Sequence, residues 1–287
     1  MKKPEIFFLG APKCGTTALA QYLSKHPGVQ VSNPKETHYF CGDFKTGSRA
    51  GSDAEYMGYF GEDALSVRIG VDASVWHMYA PDAIRNILHF QPSARFIVML
   101  RNPVEMAYSY YSMLAFMGWE DQPSLMKAWE KQDERKRGLS IPREFPQSWD
   151  KRVLLYKAVC SLGSQLSRVY EQVGEERIHI VFLRDLNKDA RAEYRKVLQF
   201  LGVPDSDNSP DFSPVNAGRR INLSWLAALQ RHASVRRATA LLRKSLHIKS
   251  FGIGRFYPPA SPYEIEFLTD QLQTEIALLE RKFQRQI

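Results

Sequence analysis

The segment IFFLGAPKCGTTALAQYL, residues 6–23, joins an apolar run that ends at Gly10 to a helix-forming run that starts near Thr16. Between them lies a short loop carrying Lys13, Gly15, Thr16 and Thr17. That layout predicts a buried strand, a tight turn and a helix N-terminus. Backbone N–H groups converge at such a junction, and the helix dipole adds roughly half a positive charge, so the junction binds anions. Gly10 and Gly15 let the backbone approach a ligand, Lys13 adds a full charge, and the two threonines add hydroxyl donors and a helix cap. The loop departs from G-x-x-x-x-G-K-[ST], because the residue directly after Gly15 is Thr16 and the lysine precedes the glycine. A nucleoside-triphosphate kinase would also need a metal-holding acid at a strand end, for which Asp72 in GVDAS is a weak candidate. The loop therefore reads as a phosphate site that needs no metal, with the kinase kept as an alternative.

The surrounding pattern is α/β. Residues 5–9, 68–73, 95–100 and 177–182 are short apolar runs of the kind found in buried parallel strands. Helical patterns run from Thr16 to Lys25, Pro81 to Phe90, Pro103 to Phe116, Leu154 to Val173 and Arg191 to Leu201. Alternation of this kind predicts a three-layer α/β/α, P-loop-type domain with a central parallel sheet of about five strands. One domain over 1–287 is expected, with 205–287 forming a closing loop and a helical extension. Residues 35–53 and 138–149 read as loops, the latter as a lid or surface loop.

RFIVMLRNPVEMAYSYY, residues 95–111, repeats the logic of the first segment. A strand ends at Leu100, Arg101 follows, and a helix opens at Pro103 with Ser109 two turns along. An arginine fork and a hydroxyl suit a second phosphate; the plainer reading pairs Arg101 with Glu105.

Together GAPKCGTT and LRNPVEMAYSYY resemble the phosphate motifs of sulfotransferases that use 3′-phosphoadenosine 5′-phosphosulfate (PAPS) and release 3′-phosphoadenosine 5′-phosphate (PAP). YEQVGEERIHIVFLRDL, KVLQFLGVP and NAGRRINLSW extend the resemblance along the chain. The resemblance implies that Lys13, Gly15, Thr16 and Thr17, with Cys14 between them in the loop, hold the 5′-phosphosulfate. It assigns Arg101 and Ser109 to the 3′-phosphate, and Arg219 and Arg220 to a loop closing over the nucleotide. NPKETHYF, residues 33–40, is similar to the Glu-x-His-Phe-Phe stretch of heparan-type and related carbohydrate sulfotransferases. By that likeness Glu36 is the catalytic base, His38 its neighbour, and Lys13 stabilises the leaving phosphate. On chemistry alone either Glu36 or His38 could titrate usefully beside Lys35. Two departures bear on the acceptor. Cys41 stands where the subfamily has an aspartate, and Ala73 where it has a second lysine, so heparan sulfate itself is in question. His77 in DASVWHMY is a rival base.

The formal charge of +8 favours an anionic ligand. It leaves a nucleic-acid or anionic-surface binding module as an alternative of another class, although Lys13 and its loop argue for no nucleic-acid partner. Three cysteines, Cys14, Cys41 and Cys160, show no metal-like spacing and read as reduced thiols, and no metal cofactor is expected. IFFL is too short for a signal-peptide core, so a cytoplasmic location is expected. The acceptor reads as a carbohydrate or small molecule. Tyr39, Phe40, Phe44, Trp76, Tyr79, Phe116 and Trp119 are candidates for its pocket or for core. The basic helical stretch 225–250 reads as a solvated face, an acceptor site, or a weak contact with an anionic membrane surface.

Overall fold

The computed structural model describes residues 3–47, 49–61, 68–206, 210–213 and 260–287. Five parallel strands form one sheet: β1 (Ile6–Gly10), β2 (Val29–Val31), β3 (Ile69–Asp72), β4 (Arg95–Leu100) and β5 (Ile178–Phe182), in the order β2-β3-β1-β4-β5. β1 is buried at every position and β4 at all but its first, which is why both read as unbroken apolar runs rather than alternating ones. The chain first winds from β1 towards β2 and β3, then returns to lay β4 on the other side of β1. That reversal makes the C-terminal ends of β1 and β4 a switch point, where open α/β sheets bind ligands.

Helices cover the sheet. α1 (Thr16–Leu23) packs with the helix Ala190–Leu201. In a second group α7 (Tyr156–Cys160) and the long final helix α11 (Pro262–Phe283) pack on α4 (Pro103–Met117), and α8 (Leu162–Gln172) packs on α11 and on α3 (Ala83–Phe90). The remaining helices are α2 (Asp53–Gly58), α5 (Leu125–Glu130), α6 (Gln132–Lys136) and α9 (Leu183–Lys188); Ala190–Leu201 is α10. α11 opens with a capping box between Ser261 and Glu264. Its far end is tied down by the Arg285 fork on Asp185, at 2.7 and 2.9 Å. Among the described residues no helix is long and apolar enough to cross a membrane.

Three local expectations change. β2 is a strand of only three residues, VQV, too short for a period to register. The run expected to be helical from Leu154 to Val173 is interrupted at Ser161. There Glu275 of α11 supplies the missing cap by accepting from the Ser164 N–H and hydroxyl, both at 2.7 Å, while Gln165 Nε2 donates to the freed Ala158 and Val159 carbonyls. Tertiary contacts thus end one helix and start the next. Finally, α3 opens at Ala83, with Pro81 in the turn before it.

Candidate functional site

The first loop is shaped by two close approaches. Gly10 has φ 129°, and a Cβ there would lie 2.5 Å from the Val75 carbonyl oxygen, so glycine is what lets the segment after β3 pass against the end of β1. Gly15, with φ 90°, is itself the N-cap of α1, and a Cβ would meet Leu183 at 2.7 Å. The two threonines are expected to supply the cap; they are instead the first two helical residues, and no side chain closes the helix start. The N–H groups of Thr16 and Thr17 have no acceptor among the described residues, which leaves them to a ligand.

Lys13 stands in the left-handed region at φ 65° and makes no ion pair among the described residues. Burial, and then the neighbouring charge of Arg101, lower its pKa from 10.5. Cys14 contributes only backbone to this loop. Its thiol is fully buried, 3.9 Å from Met106 Sδ, and burial pushes it up to about 12.

The second loop folds from its own local signals. Asn102 accepts from the N–H groups of Val104 (2.9 Å) and Glu105 (3.3 Å), and Pro103 occupies the first turn of α4. Arg101, at the end of β4, donates through Nε to Glu105 (3.0 Å) and through Nη1 to the Lys13 carbonyl (3.5 Å). The plainer pairing with Glu105 is therefore present, yet the same guanidinium also joins the two loops. Ser109, two turns into α4, lines the same cleft.

Glu36 reaches the cleft through a network that crosses the sheet end. Asp72, fully buried, accepts from the hydroxyls of Thr37 (2.7 Å), Tyr56 (3.1 Å) and Ser74 (2.6 Å) and from the Ser74 N–H (3.0 Å). Ser74 Oγ in turn accepts from the N–H groups of Thr37 (3.0 Å) and His38 (3.1 Å). Asp72 is therefore occupied in holding the 36–38 loop. Glu36 Oε2 accepts from the Val75 N–H at 3.0 Å, and its other oxygen pairs with Lys35, whose ammonium also donates to Ala73 O at 2.8 Å. His38 lies 4.0 Å from Glu36 through Nε2. Burial, followed by the proximity of His77, lowers its pKa to about 4, so the ring is neutral at physiological pH. His77 is fully buried, its Nδ1 2.8 Å from the Phe8 carbonyl, and it is not among the cleft residues; the geometry gives the rival base no access.

These elements converge on a cleft of about 610 Å³ lined by Lys13, Gly15, Thr16, Thr17, Glu36, His38, Arg101 and Ser109. Tyr22, Leu186, Ala190 and Phe212 form one apolar border, and Trp76, Tyr110, Trp119 and Trp149 another. Of the other aromatic candidates, Phe40 and Phe44 are core, Tyr39 stacks on Tyr56, Tyr79 donates to Arg152 O and Phe116 is exposed. Arg219, Arg220 and the stretch 225–250 lie outside the described residues. Sequence reasoning missed Trp149, Asp72 as a hub, and Ser74. Only the last carried a visible signal, a hydroxyl two residues past a strand's final acid.

An α/β fold with two cation-bearing loops at its switch point defines a class suited to phosphate ligands. Within that class the chain belongs to the sulfotransferase domain family, whose model matches residues 70–213. The match takes in Asp72, Arg101 and Ser109 and begins after the loop of Lys13. Carbohydrate sulfotransferase 15 of Homo sapiens is 31% identical, over 39% of this chain and 27% of its own length. The bifunctional heparan sulfate N-deacetylase/N-sulfotransferase 1 of Caenorhabditis elegans is 27% identical, over 38% of this chain and 12% of its own. The chain thus matches only a minor part of either relative. A sulfotransferase from Alicyclobacillus acidocaldarius has the same fold, with a TM-score of 0.73 and 24% identity, covering 100% of this chain and 98% of that one. These matches lend no support to the kinase alternative.

Proposed function

We propose that this chain transfers a sulfuryl group from PAPS to a hydroxyl of a carbohydrate or small-molecule acceptor and releases PAP. The observation that carries the reading is the pair of cations at the switch point. Lys13 has no carboxylate partner among the described residues, and Arg101 bonds the carbonyl of that same lysine. A nucleotide with a phosphate at each end of the nucleoside fits this arrangement: Lys13 with the Thr16 and Thr17 N–H groups for the 5′ end, and Arg101 with Ser109 for the 3′ end. Family membership and the names of the relatives support the reaction class.

The roles follow from what each side chain can do. Glu36, fixed by the Val75 N–H and Lys35, takes the proton of the acceptor hydroxyl. The acceptor oxygen bonds to sulfur as the bond from sulfur to the 5′-phosphate oxygen breaks. The released electron pair stays on that oxygen, where Lys13 and the loop N–H groups stabilise the charge. His38, neutral and beside Glu36, orients the base or the acceptor.

Transfer of radiolabel from PAPS tests the assignment. Glu36→Gln should lower kcat by about 10²–10⁴-fold with PAP affinity nearly unchanged. Near-normal turnover would remove Glu36 as the base, and loss of PAP binding would make it a nucleotide contact instead.

A further inference from the structure

Three successive N–H groups in the loop after Glu36 end on hydroxyls. Thr37 and His38 donate to Ser74 Oγ at 3.0 and 3.1 Å, and Tyr39 donates to Thr37 Oγ1 at 3.3 Å. A hydroxyl has two lone pairs and one proton. Both lone pairs of Ser74 are taken by N–H groups, so its proton goes to Asp72 Oδ1 at 2.6 Å. The Thr37 proton goes to Asp72 Oδ2 at 2.7 Å. One buried carboxylate thus holds three backbone N–H groups through two buried hydroxyls. Bonds to an ionised acceptor are the strong ones.

The turn held in this way is strained. His38 has φ 50°, in the left-handed region that residues other than glycine enter at a cost in free energy. Without the bonds to Ser74, that cost favours another backbone angle, and the ring beside Glu36 would leave with it. The same strand end also grips the Glu36 side chain, since Val75, next after Ser74, donates its N–H to Oε2 at 3.0 Å. Residues 74–78 are in turn fixed against β1. The Val75 carbonyl passes closely over Gly10, and the Met78 N–H donates to Leu9 O at 2.6 Å. The loop of Glu36 and the loop of Lys13 therefore meet through residues 72–78. Transfer from one bound group to another is sensitive to small errors in such spacing.

We propose that Asp72 and Ser74 are positioning residues for sulfuryl transfer. The buried carboxylate, acting through Ser74 and Thr37, holds His38 in its left-handed turn and so keeps Glu36 where it can take the acceptor's proton. The inference rests on the reading of Glu36 as base and adds the residues that set its place. Asp72, Ser74 and Thr37 are not among the residues lining the cleft, so they act on turnover rather than on nucleotide binding.

The test counts label leaving radiolabelled PAPS, with water and a mixture of simple sugars, alcohols and phenols supplying the hydroxyls. Calorimetry with PAP runs in parallel. Ser74→Ala should lower kcat by roughly 10–100-fold, with KM for PAPS and affinity for PAP unchanged. Amide hydrogen exchange at Thr37 and His38, read by NMR with PAP bound, should be about tenfold faster in the same variant. Added to Glu36→Gln, Ser74→Ala should cost little more, because the group it positions is already gone. Thr37→Val keeps the shape, removes the hydroxyl and should lose turnover likewise, and Thr37→Ser should recover most of that loss. This pair carries the test if Ser74→Ala does not fold. Full turnover in Ser74→Ala or Thr37→Val, unaltered exchange, or losses that multiply with Glu36→Gln overturn the positioning role and leave the sulfotransferase reading standing. Full turnover in Glu36→Gln alone removes the base and this inference with it. A wild type that binds no PAP, or binds it and releases no label, overturns the sulfotransferase reading beneath both.

Discussion

Arg101 and Glu120 flank α4, and the two charged regions they belong to are built on opposite principles. Glu120 and Arg135 have side chains with no exposure, joined by two bonds of 2.7 Å. The remaining capacity of Glu120 is taken by the Tyr156 hydroxyl (2.7 Å) and the N–H groups of Asp121 and Gln122 (3.0 Å each). At the switch point, by contrast, Lys13 is half-buried without a carboxylate among the described residues, and there the one carboxylate paired with Arg101 is the exposed Glu105. Charge that is satisfied within the fold holds a loop in place, here the turn that presents Trp119. Charge that the fold leaves over is available to a ligand. Each region holds a cation withdrawn wholly or in part from solvent, so burial alone does not distinguish architecture from site; the completeness of pairing does.

The contrast can be broken at either end. Glu120→Ala leaves Arg135 buried and unpaired, and should cost about 3–5 kcal/mol of stability, read as a fall in the urea midpoint. An unchanged midpoint would mean the buried pair is not holding the fold. Lys13→Met should do the reverse. It should leave the urea midpoint unchanged or slightly higher while lowering sulfuryl transfer by about 10²–10³-fold. The pH behaviour follows from the same residue. Its folded pKa lies below 10.5, so the unfolded chain binds more protons in the window beneath that value, and the stability linked to this group rises with pH there. PAP affinity should move the other way, falling as pH climbs through the same window, because an anion is held by the protonated lysine. Lys13→Met should abolish that slope, and a slope that survives would place the titrating group elsewhere. The smallest effect should come from Glu105→Gln, which frees Arg101 from its exposed partner and should tighten PAP binding by under about 1 kcal/mol.

The same division marks what could be read before folding. The strand, loop and helix around Lys13 were legible because apolar run, glycines and threonines are contiguous, and Arg101 with Asn102 and Pro103 carries its own strand-end and helix-start signals. That the sheet is parallel followed from that alternation, though the strand order did not. What could not be read depends on residues far apart in the chain. The carboxylate of Asp72 organises Thr37 and Ser74, which orders the loop of Glu36. Glu275 divides a helix whose periodicity is unbroken. Trp149 enters the cleft from a proline-rich segment without period, because Thr46 pairs with it. Even within the legible loop, the cap went to Gly15 rather than a threonine, since the helix start is left open instead of being closed by its own side chain.

The account depends most on the claim that two separate cations grip the two ends of one nucleotide. Calorimetric titration of the wild-type protein and Arg101→Ala with PAP and with adenosine 5′-phosphate tests it directly. The wild type should bind PAP more tightly than adenosine 5′-phosphate by about 1.5–3 kcal/mol, and Arg101→Ala should lose that preference while keeping its affinity for the monophosphate. Equal affinities in the wild type, or a preference that outlives the loss of Arg101, would contradict it.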